Sequence, residues 1–134
     1  MTFKNSMIEV CFVVPSSAKK AYQELADTYS AIEPPTWALL LAQSLRAKKY
    51  ESVILDFDAV RKTLSESVKS IVETKPRLVV FVLYGQNPNS GTTMMIGASE
   101  LAQELKKNYS YIKIGFIGSH VSALPYEVIK LKYV

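Results

Sequence analysis

Two short polar segments carry most of the chemistry legible in this chain. In Tyr84-Gly-Gln-Asn-Pro-Asn-Ser-Gly91, Gly85 and Gly91 permit close approach to the backbone, and Gln86, Asn87 and Asn89 offer amide donors and acceptors. Pro88 sits among them, and the helix predicted to follow presents free N–H groups. A polar, amide-bearing ligand fits that set. The same residues also make an ordinary turn and helix cap, and the composition of the segment does not separate the two readings. The second segment is Gly118-Ser-His-Val-Ser122, where Gly118 admits a ligand to the backbone and His120 is placed to donate to an anion or line a pocket. A lone histidine in a loop reads more readily as a local hydrogen-bonding residue than as a catalyst or metal ligand. No catalytic residue and no protein metal ligand is therefore assigned.

Other reactive side chains take plainer readings. Asp56 and Asp58 end a predicted strand, where a phospho-acceptor or ribose-binding carboxylate would stand, but a helix N-cap and a solvated loop charge explain them better. Trp37, after Pro34-Pro35-Thr36, is read as core rather than as a ligand platform. Cys11 lies inside the apolar run Ile8 to Val14 and packs as a small hydrophobe. As the single cysteine, it excludes a disulfide framework and a site built from several thiolates. There is no P-loop, no G-x-G-x-x-G after the first strand, no nucleophile elbow and no His/Cys/carboxylate cluster with metal spacing. A Ser-His-Asp triad would depend entirely on His120, the one histidine.

The elements that position these segments follow from hydrophobic periodicity. Ile8 to Val14, Ser52 to Phe57, Arg77 to Tyr84 and Tyr111 to Ile117 are β-branched, nearly continuous apolar runs, the pattern of parallel strands covered on both faces. Between them, Trp37, Leu40, Leu41 and Leu45 recur at helical spacing after a proline entry. Val60, Leu64, Val68, Ile71 and Val72 mark a second helix, broken at Lys75-Pro76. A third is predicted from Thr92 to Asn108 with Met95, Ile96, Ala98, Leu101, Ala102 and Leu105 inward. Leu124 to Lys130 is predicted as a short helix, and Tyr133-Val134 as the start of a fifth strand. The fold class is α/β: a Rossmann-like or flavodoxin-like open parallel sheet in the order 2-1-3-4, a fifth strand outside the fourth, and helices on both faces. Residues 1–134 form one domain. Its switch point lies between strands one and three, so the loops after Val14 and Leu83 should form a crevice at the carboxyl edge.

With 134 residues, 49% of them hydrophobic, and a net charge of +4, the chain has enough apolar mass for one continuous core. No apolar run approaches the roughly 20 residues that span a bilayer, and the opening residues lack the apolar core of a signal peptide. A cytoplasmic protein is expected. Lysines at Lys48-Lys49 and Lys106-Lys107 fall where helices end and complement their dipoles. No basic stripe is interleaved with aromatics, so nucleic acid is not the expected ligand. Because only the first residues of a fifth strand are present, the chain reads as part of a longer polypeptide, and an unpaired fourth strand would favour self-association.

Taken in order, Ala31-Ile-Glu-Pro-Pro-Thr-Trp-Ala-Leu-Leu-Leu-Ala42, Val53-Ile-Leu-Asp-Phe57, the Tyr84-Gly-Gln-Asn-Pro loop and Gly118-Ser-His-Val-Ser-Ala-Leu-Pro125 resemble one known domain. It is the amino-terminal cobalamin-binding domain of cobalamin-dependent radical S-adenosylmethionine enzymes, of the branch resembling anaerobic magnesium-protoporphyrin monomethyl ester cyclase. The resemblance implies that cobalamin sits at the carboxyl edge, within Pro15, Ser16 and Ser17, the residues Tyr84, Gly85, Gln86, Asn87, Pro88 and Asn89, and the residues Gly118, Ser119, His120 and Val121. It also implies a partner domain, absent here, holding S-adenosylmethionine and a [4Fe–4S] cluster on a Cys-x-x-x-Cys-x-x-Cys motif, which one cysteine cannot supply. Many cobalamin carriers place a cobalt-ligating histidine in an Asp-x-His-x-x-Gly loop after the first strand. Pro15-Ser-Ser-Ala-Lys19 departs from that pattern, so binding without a histidine on cobalt is implied. Two alternatives remain: a flavodoxin-like protein holding flavin mononucleotide at the same switch point, which Pro15-Ser-Ser-Ala fits poorly, and an interaction domain with no cofactor.

Overall fold

Four β-branched and aromatic runs pair into one parallel sheet in the order β2-β1-β3-β4. The strands are β1 (Val10–Val14), β2 (Ser52–Asp56), β3 (Leu78–Leu83) and β4 (Lys113–Gly118), the predicted order. The computed structural model describes residues 7–16, 32–85 and 90–134. Ser17, Gln86, Asn87, Pro88 and Asn89 lie outside them. Val10 pairs with Ser52 on one side and Leu78 on the other, which makes β1 a central strand, and Cys11, Phe12 and Val13 are accordingly buried. Side chains alternate between faces. Cys11, Val13, Phe81 and Leu83 enter the larger core cluster, whereas Phe12 and Val82 enter a smaller one with Ala38 and Ala42.

Helices cover both faces. Helix α1 (Thr36–Ala47) lies over the smaller cluster, using alanines so that its backbone sits close to the sheet. On the other face the helices supply Val68, Ile71, Met94, Met95, Ala98, Leu101, Ala102 and Leu105. The single helix expected around Val60 to Val72 is two pieces, α2 (Phe57–Val60) and α3 (Leu64–Glu73). Asp56 caps α2 by accepting from the Ala59 N–H at 3.1 Å, the bland role expected of it. Arg61 then turns left-handed at φ 46° and ends the piece. Thr63 restarts the chain with a reciprocal capping box: the Glu66 N–H donates to Thr63 Oγ1 at 3.3 Å, and the Thr63 N–H donates to Glu66 Oε2 at 2.9 Å.

Helix α4 (Ser90–Asn108) begins two residues earlier than the periodicity indicates. Its inward face uses Met94 where Ile96 was expected; Ile96 is 51% exposed. Gly91, Gly97, Ala98 and Ala102 narrow the buried face, so the helix turns its small residues toward the sheet. Lys106 and Lys107 fall in the last turn, as predicted. After β4 come α5 (Ser119–Ala123) and α6 (Pro125–Val128), two short helices where a loop and one helix were expected. Tyr133 does not begin a strand: residues 131–134 form a turn in which Tyr133 is buried, its ring 6.2 Å from that of Phe116. Among the described residues, no helix is long and apolar enough to cross a membrane.

Cys11 is core, as expected. Burial pushes its thiol from the ordinary 9.0 up to about 12, with a hydrogen bond to the Thr74 side chain acting the other way.

Candidate functional site

The sheet reverses direction of build at β1: the chain crosses from β1 to β2 on one side and continues from β2 to β3 on the other. The carboxyl ends of β1 and β3 therefore diverge into connections on opposite faces, leaving a crevice between them. Pro15 and Ser16 leave β1 there, Tyr84 and Gly85 leave β3, and Gly118, Ser119, His120 and Val121 follow β4 at the same edge. All eight predicted site residues that can be described thus share one edge of the sheet.

The glycines of this edge have a packing role of their own. A Cβ on Gly118 would run into the Leu83 carbonyl oxygen and come 2.7 Å from the Leu83 Cβ. Its bare Cα therefore seats β4 against the end of β3. A Cβ on Gly85 would overlap the Ser90 side chain, so this glycine lets the chain pass close to the start of α4. Gly91 brings the first turn of α4 against Ser119, with its missing Cβ also 3.3 Å from the His120 nitrogen. Gly97, in the interior of α4, faces the Ser16 carbonyl oxygen. At these four positions the close approach is protein against protein, and it sets the shape of the edge.

His120 is oriented by that packing. Its Nδ1 lies 3.2 Å from the Thr92 hydroxyl on the first turn of α4, and which atom donates depends on the ring tautomer. Val121 packs against the larger core cluster. Gly118 to Ser122 is accordingly not the loop the sequence indicates: Gly118 closes β4 and Ser119 opens a helical turn.

The aromatic pair at the edge was not anticipated. Trp37, expected in the core, is 49% exposed, and its ring stacks on Tyr84 with centroids 4.7 Å apart and planes 29° apart. The pair forms a flat apolar surface between α1 and the end of β3. Its trace in the sequence is the Pro34-Pro35 entry, which puts Trp37 in the first turn of a helix and hence at the carboxyl edge. Gly97 also left a trace. A glycine inside an otherwise regular helix costs stability unless close packing requires it.

Among the described residues, no three His, Cys, Asp or Glu side chains gather where a metal ion would be held. The edge carries the Tyr84 hydroxyl, the aromatic plate and the first turn of α4. Such a set can grip the polar fringe and flat body of a large ligand. A family profile described as the B12 binding domain matches residues 23–134, most of the chain. Neither the curated proteins nor the solved structures include a match.

Proposed function

The chain belongs to the B12 binding domain family, and from that premise we propose that its carboxyl edge holds a cobalamin for a radical S-adenosylmethionine catalytic domain. The observation that supports the siting is that Pro15-Ser16, Tyr84-Gly85 and Gly118 to Val121 all lie at the carboxyl edge of the sheet. The residues present fit a corrinoid. A corrin is a broad macrocycle fringed with amides. The Trp37–Tyr84 plate offers it an apolar face, and the hydroxyl and amide groups of Ser16, Ser17, Tyr84, Gln86, Asn87 and Asn89 match the fringe. When bound, the corrinoid would supply alkyl-transfer or one-electron chemistry at cobalt.

The chain's own part is to bind and orient. Gly97 sits against the Ser16 carbonyl, so the end of β1 packs directly on α4. Thr92 fixes the His120 ring, which lines the edge without serving as a cobalt ligand. The radical half of the reading is supported by the resemblance over Ala31 to Ala42, Val53 to Phe57, Tyr84 to Pro88 and Gly118 to Pro125. The cluster and S-adenosylmethionine belong to that catalytic domain, since Cys11 is single and buried.

Incubation of the folded chain with hydroxocobalamin, desalting and a visible spectrum test the binding. Corrinoid absorbance should travel with the protein in equal molar amount; retention no greater than by an unrelated protein overturns the proposal. The catalytic assignment is tested by the coding sequence beyond Val134, where a Cys-x-x-x-Cys-x-x-Cys motif is expected.

A further inference from the structure

A groove of about 890 Å³ lies at the amino edge of the sheet, the end opposite the crevice. Val10, Leu78 and Ile112 contribute its apolar lining, and Tyr50 and Tyr111 stand at its rim with Tyr111 75% exposed. Its volume falls within the roughly 300–1,000 Å³ of small-molecule sites. Lys75, Arg77 and Lys113 line the same space, against one carboxylate, Glu9. That carboxylate is already engaged, with Oε2 accepting the Glu51 N–H at 2.7 Å.

The backbone fixes where two of the cations leave the chain. The Arg77 N–H donates to the Ile8 carbonyl at 3.0 Å, and Lys113 pairs in register with Leu78, the next residue along. Arg77 lies one residue before β3 and Lys113 opens β4 opposite Leu78; alternation starts their side chains from opposite faces of the sheet, and both line the trough at its amino edge. Lys75 differs. It follows the end of α3, at φ 49°, where its charge complements the helix dipole. None of the three meets a carboxylate within ion-pair distance among the described residues.

We propose that this groove is a second ligand site, taking an amphipathic anion: an aromatic or aliphatic body with one carboxylate, sulfonate or phosphate head. The body covers Leu78, Ile112 and the tyrosine rings, and the head meets Arg77 and Lys113. Being separated from the crevice by the length of the strands, about 17–20 Å, the site fills independently of the carboxyl edge.

The test is titration of the full chain with anilinonaphthalene sulfonate, which has such a body and head, alongside its neutral counterpart phenylnaphthylamine. One saturable site is expected for the sulfonate, weakened about tenfold or more by the double substitution Arg77→Ala and Lys113→Ala, as loss of a charge-assisted contact implies. Tyr111→Ala should weaken both probes alike. Near-ultraviolet circular dichroism confirms that each variant keeps native packing, so that binding to a loosened core is not counted. Absence of saturable binding, equal affinity of the double variant and the parent, or equal affinity for the neutral probe overturns the proposal. Calorimetric titration with hydroxocobalamin present should leave the sulfonate affinity unchanged, and competition between the two would refute a separate site.

Discussion

Gly97 stands so close to Ser16 that a Cβ on the glycine would lie 2.5 Å from the serine carbonyl oxygen. This one approach joins the interior of α4 to the loop that leaves β1, two segments distant in sequence that border the same crevice. Gly97→Ala is expected to cost about 1–3 kcal/mol through overpacking against backbone, more than the ~1 kcal/mol that alanine contributes to a helix. Gly115 is the control. A Cβ there meets nothing within 4 Å, so Gly115→Ala should be neutral or stabilising. Urea denaturation of the two variants checks the contrast, and cobalamin retention should fall for Gly97→Ala alone.

Trp37 is the only tryptophan and belongs to the plate at the proposed corrinoid edge. Its fluorescence should be quenched as hydroxocobalamin binds, with the same midpoint as retention by desalting. Trp37→Ala should cost about 0.5–1.5 kcal/mol for the lost stack with Tyr84 beyond its share of burial, and should weaken cobalamin retention. Unquenched emission at saturating hydroxocobalamin would place the corrinoid away from this pair.

His120 follows β4 and is held by Thr92. His120→Ala should leave the visible spectrum of bound cobalamin unchanged while lowering affinity modestly. In the reduced protein, a nitrogen superhyperfine pattern that disappears on this substitution would instead make His120 a cobalt ligand.

The Cys11 thiol gives a pH signature. With a folded pKa of about 12 against 9.0, the unfolded chain loses this proton between those values while the folded chain keeps it. The associated stability is fully present below about pH 9 and falls as pH rises, by at most roughly 1.4 kcal/mol per unit. Cys11→Ala should be less stable at neutral pH, through the cavity it leaves, and should lack this alkaline fall. In the native protein a thiol-specific disulfide reagent at pH 8 should react only on denaturation.

The sequence by itself determined the sheet and its order. Runs such as Leu78–Leu83, short, rich in β-branched residues and bounded by Pro76 and Gly85, read as strands buried on both faces, and helical spacing between the strands leaves right-handed crossovers as the way to connect them. It also determined the cap at Asp56 and the burial of Cys11, because both follow from a residue's immediate neighbours. Tertiary structure decided what meets at the carboxyl edge. Thr92 reaches His120 across 28 positions, and Trp37 finds Tyr84 only once α1 lies on the sheet. Gly118 and Gly97 carry the same message as any loop or helix glycine until Leu83 and Ser16 are set opposite them. Ile96 fits the inward periodicity on paper, yet the rotation of α4 is chosen by how closely its glycines and alanines approach neighbouring backbone. Periodicity is a property of one segment. The site is a property of distances between segments, which close packing alone sets.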